Sequence, residues 1–293
     1  MAWLPDTWSR ANFTDRMYLA YFSSICILML LLRHRVPGWA AFLWIHLIYL
    51  AAILVLIVNA RRLPTSHAWY PLAMPLVTFG LVAQLNFLFV DTWQDRYLLA
   101  FESWLFPQPP TVWLARFASP LVTEVLEIGY FSYFVLLAIV GGVLYRRAGK
   151  APFAGVMAAS VLSYMLCYVV FVAFPTEGPA HTLRHLHTVP LTGGVFHWLV
   201  NLTQHGGVHG NAFPSAHVAG AVAPLLFAWR YTPKLAGWLT PLVVLLCIGA
   251  VYDRYHYASD IFAGILVGTA AACFVMFVQS RPKLEQWLNV NAI

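Results

Sequence analysis

Apolar runs close to twenty residues long recur along this chain between positions 18 and 278, and they limit its fold more than any other feature. About 20 consecutive apolar residues is the length at which an α-helix crosses the hydrocarbon core of a bilayer. A helix also satisfies its own backbone polar groups there, where no water can do so. The runs are apolar all round, without the polar face that a surface helix of a soluble protein carries. Charge decides the same way: only 10% of the 293 residues are Asp, Glu, Lys or Arg, against about 25% in ordinary soluble domains. The expected fold class is all-α, a polytopic membrane helical bundle of about eight membrane segments.

The segments are expected at 18–32, 39–58, 69–90, 121–145, 153–174, 217–229, 235–251 and 257–278. Pro71 and Pro75 fall near the start of the third and are read as early-helix prolines. Residues 1–14 read as a tail, with Trp3 and Trp8 suited to an interfacial helix, and no cleavable signal peptide is expected. The stretch 91–119 holds Asp91, Asp95, Arg96 and Glu102 followed by a proline cluster, and reads as interfacial helix and loop. No repeat and no soluble second domain is apparent, so 1–293 is expected to be one membrane domain with its catalytic core at about 120–280. Cys26, Cys167, Cys247 and Cys273 all lie inside apolar runs without metal spacing and read as small buried hydrophobes.

The net charge of +6 in a soluble chain would suggest nucleic acid. Here the basic residues gather at the ends of apolar runs, so topology and anionic headgroups explain them and no nucleic-acid partner is expected. Arg61 and Arg62, Arg146, Arg147 and Lys150, Arg230 and Lys234, and Arg281 and Lys283 fall on one face if eight segments alternate. That face, with both termini, is expected in the cytosol. Arg33 and Arg35 fall on the other face. Segment five ends at Pro175, segment six begins near His217, and segments seven and eight meet around His256, so these three points share the periplasmic, extracellular or lumenal face.

Eight of the eleven histidines lie within 181–256. His256 and Asp260, four apart, would share one face of a helix, separated by about 6 Å of rise. An aspartate bonded to one ring nitrogen fixes the tautomer and raises the basicity of the other, which can then attack phosphorus. His217 follows Pro214 and Ser215 at a likely helix start. Ser215 can cap that helix or donate to a phosphate, free amides there favour anions, and a protonated His217 can give a proton to a departing alkoxide. A phosphate also needs cations, and Arg254 and Arg184 are the candidates. His205 and His209 have a spacing open to metal but no convincingly placed third ligand, so no metal is expected. Tyr252, Tyr255 and Tyr257 read as an aromatic belt, with one of them free to line a pocket. Glu124 and Glu127, inside an apolar run, read as interhelical hydrogen-bonding groups.

With these residues in hand, the chain resembles the type-2 phosphatidic acid phosphatase superfamily. Phe213-Pro214-Ser215-Ala216-His217 looks like its proline-serine-glycine-histidine element, with Ala216 in the glycine position. The run from Arg254 through Tyr255, His256 and Asp260 to Gly264 looks like its last element. The resemblance implies a phosphatase-like core of five to six helices, a phosphohistidine on His256, Asp260 as its orienting group, His217 as general acid, and no metal or other cofactor. Many members carry arginine six residues before the nucleophile, where this chain has Ala250; the early lysine-to-arginine-proline element gives way to Phe174-Pro175-Thr176-Glu177-Gly178-Pro179. That pattern looks more like the inositol-phosphorylceramide-synthase-like branch.

The expected function is an integral-membrane phosphoesterase acting on a lipid-linked phosphate among membrane lipids. A phosphotransferase to an alcohol or lipid acceptor is the nearest alternative. A transporter using the buried His, Arg and Glu residues, or a scaffold indifferent to His256, belongs to another class. Oligomeric state is not legible.

Overall fold

The computed structural model describes residues 11–205 and 209–290, with the side chains of Leu76, Gln204 and His205 outside that description. The expected tail helix at Trp3 and Trp8, and the side chain of His205, therefore lie outside the described residues. Long helices dominate: α1 (Phe13–Leu31), α2 (Trp39–Val58), α3 (Pro64–Val82), α6 (Pro120–Arg147), α7 (Lys150–Ala173), α10 (Ala216–Tyr231), α11 (Pro233–Tyr252) and α12 (Ala258–Gln279). Between them run the shorter α4 (Asp95–Leu105), α5 (Pro110–Leu114), α8 (Pro179–Thr182) and α9 (Val195–His205), and α13 (Pro282–Leu288) follows α12. The fold is all-α. Among the described residues, α1, α2, α6, α7, α11 and α12 are long and apolar enough to cross a membrane.

The third and sixth expected segments depart from that list. Helix α3 begins at Pro64, five residues earlier than expected, and bends by 41° between Pro64–Pro75 and Val77–Leu85; counted as one span it makes a seventh. Pro71 and Pro75 thus sit inside the helix. A proline there removes a ladder hydrogen bond and clashes with the preceding turn, which accounts for the bend. Tyr168 donates to the Pro75 carbonyl at 3.0 Å. Helix α10 has 16 residues, about 24 Å at 1.5 Å per residue, short of a bilayer core of about 30 Å. It is the centre of the bundle, walled by α6, α7, α11 and α12, and nearly all its residues from Ala216 to Ala228 are buried.

Close backbone approach sets this packing. A Cβ on Gly264 of α12 would lie 2.6 Å from the Ser215 carbonyl, and one on Gly268 would lie 2.6 Å from that of Ala219. Glycines four apart on one face let two helices meet at backbone distance. The approach at Gly264 brings the Ser215 amide to the Asp260 carbonyl at 3.0 Å, and so joins the starts of α10 and α12. At the far end of the bundle the start of α1 meets the end of α13, with Phe13 N donating to the Asn289 carbonyl. Buried Asp15 accepts from His67 and from the Tyr70 hydroxyl there.

Candidate active site

Four chain segments converge where α7 ends, α10 begins, α11 ends and α12 begins. His256 lies in the turn before α12 rather than on the helix itself, because Tyr257 is the cap residue and Ala258 the first helical one. The pairing with Asp260 forms all the same. The Asp260 carboxylate accepts from the Tyr257 amide at 2.9 Å, which pins it over the helix start, and its Oδ2 lies 3.3 Å from His256 Nδ1. That same Nδ1 is 2.9 Å from the Ala212 carbonyl. Both partners are acceptors, so Nδ1 carries a proton, and in the neutral ring the lone pair lies on Nε2.

His217 occupies the first turn of α10, with its ring centroid 5.7 Å from that of His256. Aromatic rings hold it: Tyr133 lies at 4.4 Å in a T-shaped contact, Tyr130 at 5.4 Å and Phe79 at 5.7 Å. Its Nε2 is 3.5 Å from the Tyr130 hydroxyl. Ser215 is fully buried. Its hydroxyl accepts from the Val218 amide at 3.4 Å, the geometry of a helix cap.

Both histidines open onto a cavity of about 700 Å³. Tyr130, Tyr133, Phe134, Tyr164 and Tyr255 make an aromatic wall on one side. Glu177, His181, His209 and Asn211 make a polar rim on another. Ser215, Arg254 and Arg184 are not among the residues that line it.

Residues 96–274 match the family described as the PAP2 superfamily. The chain belongs to the PAP2 superfamily. It is similar to a PA-phosphatase related-family protein of Dictyostelium discoideum, with 25% identity over 174 residues, covering 52% of this chain and 31% of that protein. The chain thus spans about a third of that relative's length. No solved structure matches. That superfamily is one of metal-independent phosphatases and phosphotransferases.

Neither arginine lines the cavity. Arg254 adopts a left-handed backbone conformation, φ 68°, and its guanidinium donates to the Val189 carbonyl. Arg184 sits exposed in a short 3-10 turn at Arg184–Leu186. His187, 3.0 Å from the Thr111 hydroxyl, is pushed down to about 4 by burial, helped by the nearby Arg254 and His185, and is a neutral ring at pH 7.

The tyrosines correct the expectation of an aromatic belt. Tyr252 and Tyr257 are turned inward and buried, Tyr252 against the Thr123 hydroxyl at 2.8 Å and Tyr257 against Thr182 and Asp95. A buried phenol needs a partner, and these two tie helices together. Tyr255 lines the cavity, 5.1 Å from Tyr130. Glu124 accepts from the amides of Gly194, Phe196 and His197, and Glu127 lies 2.9 Å from His197 Nδ1. The two acids anchor α9, an amphipathic helix between the expected fifth and sixth segments.

Two further acids, behind the cavity lining, were read only as polar residues of an interfacial stretch. Asp95 and Glu102 of α4 are buried together with Leu98 between them. Asp95 accepts from Glu177 N, Gly178 N and the Tyr257 hydroxyl at 2.8, 2.8 and 3.0 Å. Glu102 accepts from Ser259 N at 2.9 Å at the start of α12, and burial raises its carboxyl above the ordinary range against that hydrogen bond. The spacing i, i+3, i+7 was the signal: it marks one face of a helix. Asp95→Ala strands three donors, and since hydrogen bonds to charged groups each carry about 1.5–3 kcal/mol, a loss of roughly 3 kcal/mol or more is expected. Thermal unfolding of the purified variant in detergent checks it.

Proposed function

We propose that this chain is an integral-membrane phosphoesterase that hydrolyses a lipid-linked phosphate through a phosphohistidine on His256. The observation that carries the reading is the locked His256 ring: Nδ1 is held by Ala212 and Asp260, leaving the Nε2 lone pair free in a cavity shared with His217. His256 attacks phosphorus. Asp260 steadies the positive charge that builds on the ring, and His217 protonates the departing lipid alcohol. Water then releases phosphate from the histidine. The aromatic wall suits an acyl or isoprenoid chain beside the reacting phosphate.

The same phosphohistidine accepts an alcohol as readily as water, so transfer of a phospho-headgroup to an alcohol or lipid acceptor is the second reading. Phe174-Pro175-Thr176-Glu177-Gly178-Pro179 favours it, through the likeness to the inositol-phosphorylceramide-synthase-like branch. Four basic clusters at the bundle end opposite the cavity support a cytosolic position for that end and for both termini. Arg35, on the cavity end, is paired with Asp91 at 2.7 Å, so its charge is offset.

Intact-lipid mass spectrometry of the purified chain and of His256→Ala tests both readings, with a panel of lipid phosphomonoesters and phosphodiesters, with and without alcohols. Dephosphorylated lipid from the wild type alone is the expected result. A new lipid formed only with an acceptor favours transfer, and equal turnover by the variant refutes both.

A further inference from the structure

A phosphate inside the cavity needs positive charge, yet among the described residues lining it there is no lysine or arginine. What the rim offers instead is Glu177, His181 and His209. One ligand atom from each lies within 4.8 Å of the other two, and His209 Nε2 is 2.7 Å from Glu177 Oε1. Glu177 comes from the turn before α8, His181 from α8 itself and His209 from the loop that follows α9, so the set exists only in the folded chain.

Neighbouring groups hold these ligands in place. Asp95 accepts from the Glu177 amide. Asn86 donates to the His209 carbonyl at 3.2 Å, and Trp93 packs on the His209 ring at 5.3 Å. Gly210, at φ 95°, brings the backbone so near that a Cβ would lie 2.5 Å from Asn86 Nδ2.

We propose that Glu177, His181 and His209 bind a zinc ion whose open coordination position faces the cavity and takes a phosphate oxygen of the substrate. Two histidines, one carboxylate and an open position make the ligand set of a catalytic-type zinc site, and imidazole with carboxylate suits a borderline ion. The alternative, a phosphate held by two imidazolium rings, sets like charges side by side, with ring centroids 4.5 Å apart. A shared metal uses both rings neutral and supplies the same charge. PAP2 chemistry needs no metal, so the ion here is a binding group in the place that basic side chains would take, and His256 keeps its role. The metal's part as phosphate clamp rests on the phosphoester reading of the same cavity; the metal site itself does not.

The test is calorimetric titration of the full chain, purified in detergent and stripped with chelator, with Zn²⁺ alone. One ion per chain is expected, and His209→Ala and Glu177→Gln should each weaken binding by about 100-fold. His181 and His209 are exposed, so their substitution spares the packed bundle, and size-exclusion chromatography checks this. His256→Ala should bind the ion as the wild type does. In a second arm, inorganic phosphate should bind at least about tenfold tighter with Zn²⁺ present, in the wild type and not in His209→Ala.

No stoichiometric ion in folded wild type, or equal binding by His209→Ala, overturns the site. Phosphate affinity indifferent to Zn²⁺ overturns the clamp, and if His181→Ala and His209→Ala also lower it, the imidazoles themselves hold the phosphate. Neither arm reads turnover, so failure of the phosphoester reading would show only in the lipid mass spectrometry, as no product from a chain that still binds zinc.

Discussion

On the phosphoesterase reading, His256→Ala should lower phosphate release from a lipid phosphate by on the order of 10⁴-fold or more, the loss expected when a covalent nucleophile is removed. The neighbouring His217 is not placed to stand in for it. His217 has no carboxylate against its ring, and its nearest polar contact is the Tyr130 hydroxyl at 3.5 Å. Asp260→Asn should cost much less, on the order of 10²-fold, although the corresponding change in a serine-protease triad costs about 10⁴ through the wrong tautomer. Here the Ala212 carbonyl, at 2.9 Å, is the shorter acceptor for Nδ1 and holds the tautomer without the carboxylate. Single-turnover phosphate release checks both rates. An acid-labile phosphohistidine should be trapped in the wild type and be absent from His256→Ala. A His256→Ala rate within tenfold of the wild type would remove His256 as nucleophile.

The second large effect is at His217 and depends on the leaving group. His217→Ala should slow cleavage of an alkyl phosphate by about 10³-fold, within the 10²–10⁴ span of general acid catalysis. An alkoxide cannot leave without a proton. An aryl phosphate whose phenolate is stable does not need that proton, so its loss should shrink to about tenfold or less. A ring that merely packs against Phe79, Tyr130 and Tyr133 would cost both substrates alike when removed. The ratio of the two losses therefore separates chemistry from packing.

The segment at Trp39–Val58 coincides with its expected bounds, because a helix apolar all round announces itself through apolar length alone. The His256 and Asp260 pair was legible for a different reason: four-residue spacing works both along a helix and across its capping turn. Less visible were groups whose direction depends on a loop. Arg254 was a reasonable phosphate ligand by position, but its left-handed backbone turns it to Val189. Tyr252 and Tyr257 sit at belt height in the chain yet face Thr123, Thr182 and Asp95. His209 could be matched only to His205 by counting residues, whereas the fold sets it beside Glu177 and His181.

Apolar length and the placing of histidines at the ends of apolar runs were determined by the sequence itself, because bilayer thickness and helical rise are the same for every chain. What lies around each histidine was decided only by tertiary structure. Gly264 permits α12 to touch α10 at backbone distance, and that contact joins the Ser215 and Asp260 backbones. Residues far apart in sequence become neighbours through helix approach and loop dihedrals, and neither leaves a periodic trace in the chain.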